Sequence, residues 1–228
     1  MSEPVDESTP TTWRELAVAR SLDPARARAE KRVQRFLDAA LELMTSSDGK
    51  EFTVQEVVER SGQSLRSFYQ YFAGKYELLL ALFEESVRST ALHLQEVVDG
   101  SDVPLERLHL FLVDYYRICH LNPKARGSKK QPAPAMAEFA QQLLTDHPKE
   151  ASRAFVPLVE LLEGLIDDAV AAGDIQGGLN NRRMAGVLLQ AIMFNTFAST
   201  ISGSSVRGDP REAADELWGL VLGGIAAR

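Results

Sequence analysis

Between residues 53 and 79 the chain reads TVQEVVERSGQSLRSFYQYFAGKYELL, and this stretch constrains the fold more than any other. Thr53 is followed three residues later by Glu56, the pairing of a capping box, so a helix starts at Thr53. Val54, Val57 and Val58 form its apolar side, and Ser61-Gly62 end it. Ser64 caps a second helix that stops near Phe72. Ala73-Gly74 then break the chain, and a long helix runs from Lys75 to about Val98. Two short helices separated by three residues around Gly62 have the spacing of a helix-turn-helix, whose second helix lies in the DNA major groove. On that helix Phe68 and Phe72 are four apart and bury together, with Leu65 able to join them. The other side presents Arg66, Ser67, Tyr69, Gln70 and Tyr71. A guanidinium can bind guanine O6 and N7 in bidentate fashion, whereas hydroxyls and ammonium groups suit phosphate oxygens, which position without specifying. The same pattern also describes a small helical hairpin with an ordinary polar face.

The rest of the chain reads as helix. No alternating strand pattern is present, and long runs of Ala, Leu, Glu and Arg favour helix, so the fold class is all-α. Residues 1–12 are expected to be disordered, and TWRELAVARSL forms a short helix. Asp23-Pro24 then reads as a helix start, with Asp as N-cap and Pro at the first helical position. The helix that follows, to about Thr45, places Val33, Phe36, Leu37, Ala40, Leu41 and Met44 on one face. Further helices are expected near 103–121, 134–146, 148–172, 180–202 and 209–227. The resulting division is an amino-terminal extension at 1–24, a three-helix helix-turn-helix domain at 25–74, and a larger helical domain at 75–228.

Charge is distributed unevenly. The net charge is −7, which opposes indiscriminate nucleic-acid binding. Yet residues 13–75 hold 11 Lys or Arg against 9 Asp or Glu, and residues 76–228 hold 14 against 20. Arg26, Arg28, Lys31, Arg32 and Arg35 fall within ten positions. A basic run of this kind is a solvated helix face unless it stands beside a reading helix. A second basic group, Lys124, Arg126, Lys129 and Lys130, lies in a Pro- and Gly-containing loop. It reads as a solvated loop or as an attractor for an anionic head group such as a phosphate-bearing acyl carrier. The run from Met184 to Val206 carries no charge but includes Gln190, Asn195 and several hydroxyl residues, so it is read as a buried bundle helix rather than a membrane span. The opening MSEPVDESTP is no signal peptide, and with the single Cys119 it points to the cytoplasm.

Residues 32–83 resemble the DNA-binding domain of the TetR family of transcriptional regulators. The resemblance rests on FLDAALELM followed by FTVQEVVERSGQSLRSFYQYFAGKYELLLALFE. Thr53, Val57, Gly62, Ser64, Tyr69, Phe72, Lys75, Leu78 and Leu79 fall in register with the family pattern. It implies that Thr53, Ser67, Tyr69 and Lys75 contact phosphates and that Leu65, Arg66 and Tyr71 face bases, with Ser64 at the head of the same helix. The chain departs from the family in having Arg66 where a small residue is usual, and Ser67 for Thr. The resemblance further implies a double-stranded DNA operator of pseudo-palindromic sequence and a homodimer formed by the helices at 180–202 and 209–227. Gly219 and Gly223, four apart, would let two such helices approach closely. It also implies a small effector, expected to be apolar, whose entry releases the DNA, so the regulator is read as a repressor.

The alternative is a helical small-molecule or lipid-binding protein that does not bind DNA. An apolar pocket is expected from Phe111, Tyr115, Tyr116 and Cys119 on one helix, Met136 and Phe139 on the next, and Met193, Phe194 and Phe197 near the end. Each of these also fits plain core. An enzyme is not expected: His93, His109, His120 and His147 make no HExxH pair or Cys-His metal set, and neither a Gly-rich phosphate loop nor a G-x-S-x-G elbow is present. No cofactor or metal is expected.

Overall fold

The computed structural model describes residues 13–46, 52–120, 134–202 and 210–225. These form nine helices and no strand: α1 (Trp13–Ser46), α2 (Val54–Ser61), α3 (Leu65–Tyr71), α4 (Lys75–Val98), α5 (Pro104–His120), α6 (Pro134–Asp146), α7 (Pro148–Ala172), α8 (Asn181–Ser202) and α9 (Pro210–Ile225). The all-α expectation and the placing of α2 to α9 therefore hold. The expected disorder of residues 1–12 and the basic loop at 124–130 lie outside the described residues.

The start of α1 differs from the sequence reading. A single helix of 34 residues runs from Trp13 through Pro24 to Ser46, so Asp23 is not a cap and Pro24 is not a helix start. Proline removes one backbone donor and crowds the carbonyl four residues back, which kinks or breaks a helix unless its neighbours sustain it. Here Ala, Arg, Leu and Glu on both sides carry the helix across it.

The chain divides into two compact units. The first comprises α1 as far as Leu43 and then Phe52–Leu78. Helices of eight and seven residues such as α2 and α3 are too short to persist alone in water, so caps and packing must hold them. Both are capped: Thr53 and Glu56 form the complete capping box, Gly62 ends α2 in the left-handed conformation at φ 64°, and the Ser64 hydroxyl accepts from the Ser67 N–H at 3.1 Å. At φ 64° any Cβ is strained, which is why glycine stands there. Packing centres on Phe36, which is fully buried. Its ring meets Phe68 edge-on at 5.4 Å and Phe72 at 6.1 Å, and Phe68 lies 5.4 Å from Phe72. Leu37, Ala40, Val57, Val58 and Leu78 complete the core.

The second unit runs from Leu79 through α9. In it α7 packs against α5, α6 and α8, and α5 packs against α9. Leu158, Leu162, Leu165, Ile166 and Ala169 are buried on α7, as are Leu108, Phe111 and Leu112 on α5 and Leu189 and Ile192 on α8. Arg107 of α5 donates to Asp168 of α7 at 3.0 Å, and Arg182 of α8 to Glu163 of α7 at 2.8 Å. Among the described residues no helix is long and apolar enough to cross a membrane.

Truncating Phe36 removes the ring on which both Phe68 and Phe72 pack. Phe36→Ala is expected to cost about 3–5 kcal/mol, read as a fall in the urea midpoint followed by circular dichroism.

Candidate nucleic-acid interface and effector cavity

The aromatic cluster decides which side of α3 faces outward. With Phe68 and Phe72 buried, Arg66, Tyr69 and Gln70 are exposed, Tyr69 at 57%. Leu65 is exposed at 43% and does not join the phenylalanines, so α3 presents a mixed apolar and polar surface at its start. Tyr71 is half-buried. The Tyr69 ring is steadied edge-on against Phe68 at 5.4 Å. Ser67 is placed differently from its neighbours: its hydroxyl is buried and has no hydrogen-bond partner among the described residues.

At the head of α2 the polar groups are already engaged with one another. The Glu56 carboxylate accepts from the Thr53 N–H at 2.7 Å and from the Thr53 hydroxyl at 2.9 Å, and the Glu56 N–H donates back to that hydroxyl at 3.2 Å. A phosphate at this helix start would compete with Glu56 for the Thr53 donors. Lys75, at the start of α4, holds its ammonium 4.8 Å from the centre of the Phe52 ring, a cation–π distance. These contacts act on Glu56. The backbone hydrogen bond from Thr53 and then the side-chain bond from Thr53 hold its carboxyl below the usual 4.5; desolvation opposes them, and the charge of Lys75 is the smallest contribution. The N-terminus of α4 is tied separately, the Ala73 N–H donating to Glu77 at 2.7 Å.

The second unit contains a cleft of about 390 Å³ between the end of α6, the first half of α7 and α8, within the range of small-molecule sites. Leu144, Phe155, Val156, Val159, Leu189 and Met193 supply most of its apolar wall, with Ser152, Gln190 and Arg182 as polar members. Of the residues expected from sequence to meet an effector, Met193 lines this cleft. Phe111, Tyr115 and Phe139 are buried in the helical core, and the side chain of Phe197 lies outside those described. Cys119 is one turn from Tyr115 and hydrogen-bonds to it; burial, offset in part by that bond, pushes the thiol up to about 12. At neutral pH this favours the thiol over the reactive thiolate. Core-facing and cleft-facing residues on α7 are neighbours in sequence: Ala151, Ala154 and Leu158 face the core, whereas Ser152, Phe155, Val156 and Val159 face the cleft. The signal available in the sequence is that α7 is apolar over more than one stripe.

The comparisons with known proteins bear on both units. Residues 36–82 match the model of the bacterial regulatory proteins of the tetR family. The fatty acid metabolism regulator protein of Bacillus subtilis (strain 168) is 20% identical over 167 residues, 73% of this chain and 80% of that protein. Among solved structures, the transcriptional regulator FadR of Bacillus subtilis in complex with stearoyl-CoA is similar with a TM-score of 0.65 at 16% identity, over 84% of this chain and 98% of that one. The fatty acid degradation regulator FadR of Bacillus halodurans gives 0.65 at 17% identity, over 86% and 97%. At these identities the structural likeness speaks for the fold.

A carboxyl whose folded pKa is lowered stabilises the fold fully above its unfolded value, and the contribution is lost as pH falls through the folded value. Wild-type stability should therefore drop more steeply than that of Glu56→Gln once pH falls below 4.5. Urea titrations of the two proteins at several pH values from neutral downward measure the difference, and parallel curves would contradict the role of the capping carboxylate.

Proposed function

Since residues 36–82 make this chain a member of the tetR family of bacterial regulatory proteins, we propose that it is a ligand-responsive transcriptional repressor that binds a pseudo-palindromic DNA operator as a homodimer. One observation carries the reading: α3 is held by the Phe36 cluster so that Arg66 and Tyr69 stand exposed on a helix too short to have formed for packing alone. Arg66 reads a base edge in the major groove, with Leu65 and Tyr71 beside it. Lys75 and Tyr69 grip the backbone, and Ser64 and Thr53 lie at the two helix starts. The dimer forms through α8 and α9, a reading supported by exposed Val187, Phe194 and Leu220 on those helices and by Gly219 and Gly223, whose surroundings are open.

The effector enters the cleft between α6, α7 and α8. Its apolar wall suits an acyl chain, and relatives named as fatty acid regulators, one solved with stearoyl-CoA, favour a long-chain acyl thioester. Phe155 both lines this cleft and packs at 5.4 Å on Phe83 of α4, which also meets Phe139 at 6.3 Å. A ligand that displaces Phe155 thus acts directly on α4, the helix whose first residues, Lys75–Leu78, belong to the amino-terminal unit. Release requires that the ligand bind the DNA-free form more tightly than the DNA-bound form.

Gel shifts with duplexes selected from a randomised pool test the whole reading. A specific complex with an affinity on the order of 10⁻⁸ M or tighter is expected, containing two subunits and dissociated by palmitoyl- or stearoyl-CoA. Failure to select any duplex, with acyl-CoA still bound, would favour the non-DNA lipid-binding alternative.

Reading and holding are separable. Arg66→Ala is expected to cost about 1–3 kcal/mol on the selected duplex and to relax preference at one base-pair position. Lys75→Ala should weaken all sequences evenly and lower the salt slope by about one unit for each phosphate it ceases to neutralise. Titrations against single-base variants at several salt concentrations distinguish these outcomes. A uniform loss for Arg66→Ala would make it a phosphate contact and pass the reading role to Leu65 and Tyr71.

A further inference from the structure

The stretch of α1 from Pro24 to Arg35 makes almost no core. From Pro24 to Arg35 every residue is exposed except Ala29 and Val33, which are half-buried, and full burial begins only at Phe36. At 1.5 Å per residue this is a rod about 17 Å long. Arg28, Lys31, Arg32 and Arg35 fall on it at i, i+3, i+4 and i+7, which places all four on one stripe of the helix. None of the four has an ion-pair or hydrogen-bond partner among the described residues. Three acidic side chains of α1 are engaged elsewhere: Glu30 with Arg26 at 2.9 Å, Asp38 with Gln34 at 3.1 Å, and Glu42 with Arg60 of α2 at 3.6 Å.

Like charges one turn apart destabilise a helix. The stripe therefore costs stability while adding no packing, in a chain whose net charge is −7. Its end is anchored against the buried side of α3: Arg35 adjoins Phe36, the residue of α1 that packs on Phe68 of that helix. A linear array of uncompensated cations, rooted beside that helix, complements a linear array of phosphates.

We propose that the exposed stretch of α1 from Pro24 to Arg35 is an additional DNA contact: a basic helical arm that lies along the phosphate backbone flanking the bases read by α3, adding affinity without base preference. This rests on the DNA-binding reading of the amino-terminal unit. The arm extends the contacted duplex outward, so the binding advantage it confers depends on flanking length and on salt, and not on sequence.

The test combines Arg28→Gln, Lys31→Gln, Arg32→Gln and Arg35→Gln in the full-length protein; glutamine keeps the helix propensity. The probes are the duplex that the wild-type protein selects from a randomised pool, with and without about ten extra base pairs on each side, and vesicles of phosphatidylglycerol and phosphatidylcholine. On the flanked duplex at about 0.1 M salt the quadruple variant should bind at least 10-fold more weakly, with the salt slope reduced by about 0.9 for each phosphate left unneutralised. Single-base preferences should be unchanged, and the two proteins should converge on the trimmed duplex. Equal affinity and equal slope on the flanked duplex would overturn the arm while leaving the helix-turn-helix reading intact. A loss independent of flank length would also overturn it. Vesicle binding by wild type that the variant loses, with DNA binding unaltered, would reassign the stripe to an anionic membrane surface. A wild-type protein that selects no duplex would remove both readings.

Discussion

The edge-to-face packing of Phe36 against Phe68 and Phe72 is the contact on which the amino-terminal unit depends. A seven-residue helix has too few internal hydrogen bonds to hold itself, so α3 exists where it does because two of its aromatic neighbours are buried against a third ring on α1. That choice of buried side fixes the outward side. Arg66, Tyr69 and Gln70 are presented because Phe68 cannot be. Burial of three aromatic rings in one cluster is worth several kcal/mol, enough to hold a polar, weakly helix-forming segment in one orientation.

The head of α2 illustrates a competition between folding and recognition. Backbone and side-chain donors of Thr53 satisfy the Glu56 carboxylate, and the positive charge of Lys75 supports the same anion. A cap of this kind stabilises the helix start and leaves it open to an anion only to the extent that Glu56 yields. The buried, unpartnered hydroxyl of Ser67 obeys the same constraint. Donors on short helices are few, and those given to internal caps or burial are not simultaneously offered outward.

In the second unit a different balance holds. The central helix α7 has an apolar circumference wider than the core it faces, and the surplus forms one wall of the cleft with α8. Phe155 belongs to both the cleft and the contact with α4. A side chain with two such neighbours cannot shift without disturbing both, because a close-packed interior has no slack to absorb a displaced ring.

Local chemistry makes most of the helix-turn-helix legible in the sequence. Capping residues, the left-handed glycine and the four-residue spacing of Phe68 and Phe72 act within a single turn of chain, so α2, α3 and the start of α4 can be read almost to the residue. The stretch across Pro24 reads wrongly because proline disfavours helix locally, whereas continuation depends on the strong helix formers on either side. Periodicity pairs Leu65 with the phenylalanines, but only the direction from which α1 approaches decides how wide the buried stripe of α3 is. The same limit applies to the cleft. Sequence shows which residues of α5 to α8 are apolar, and Phe111, Tyr115 and Phe139 are as apolar as Phe155 and Met193. Which of them face neighbouring helices and which face a void is set by how helices distant in sequence pack, and helical periodicity carries no information about that.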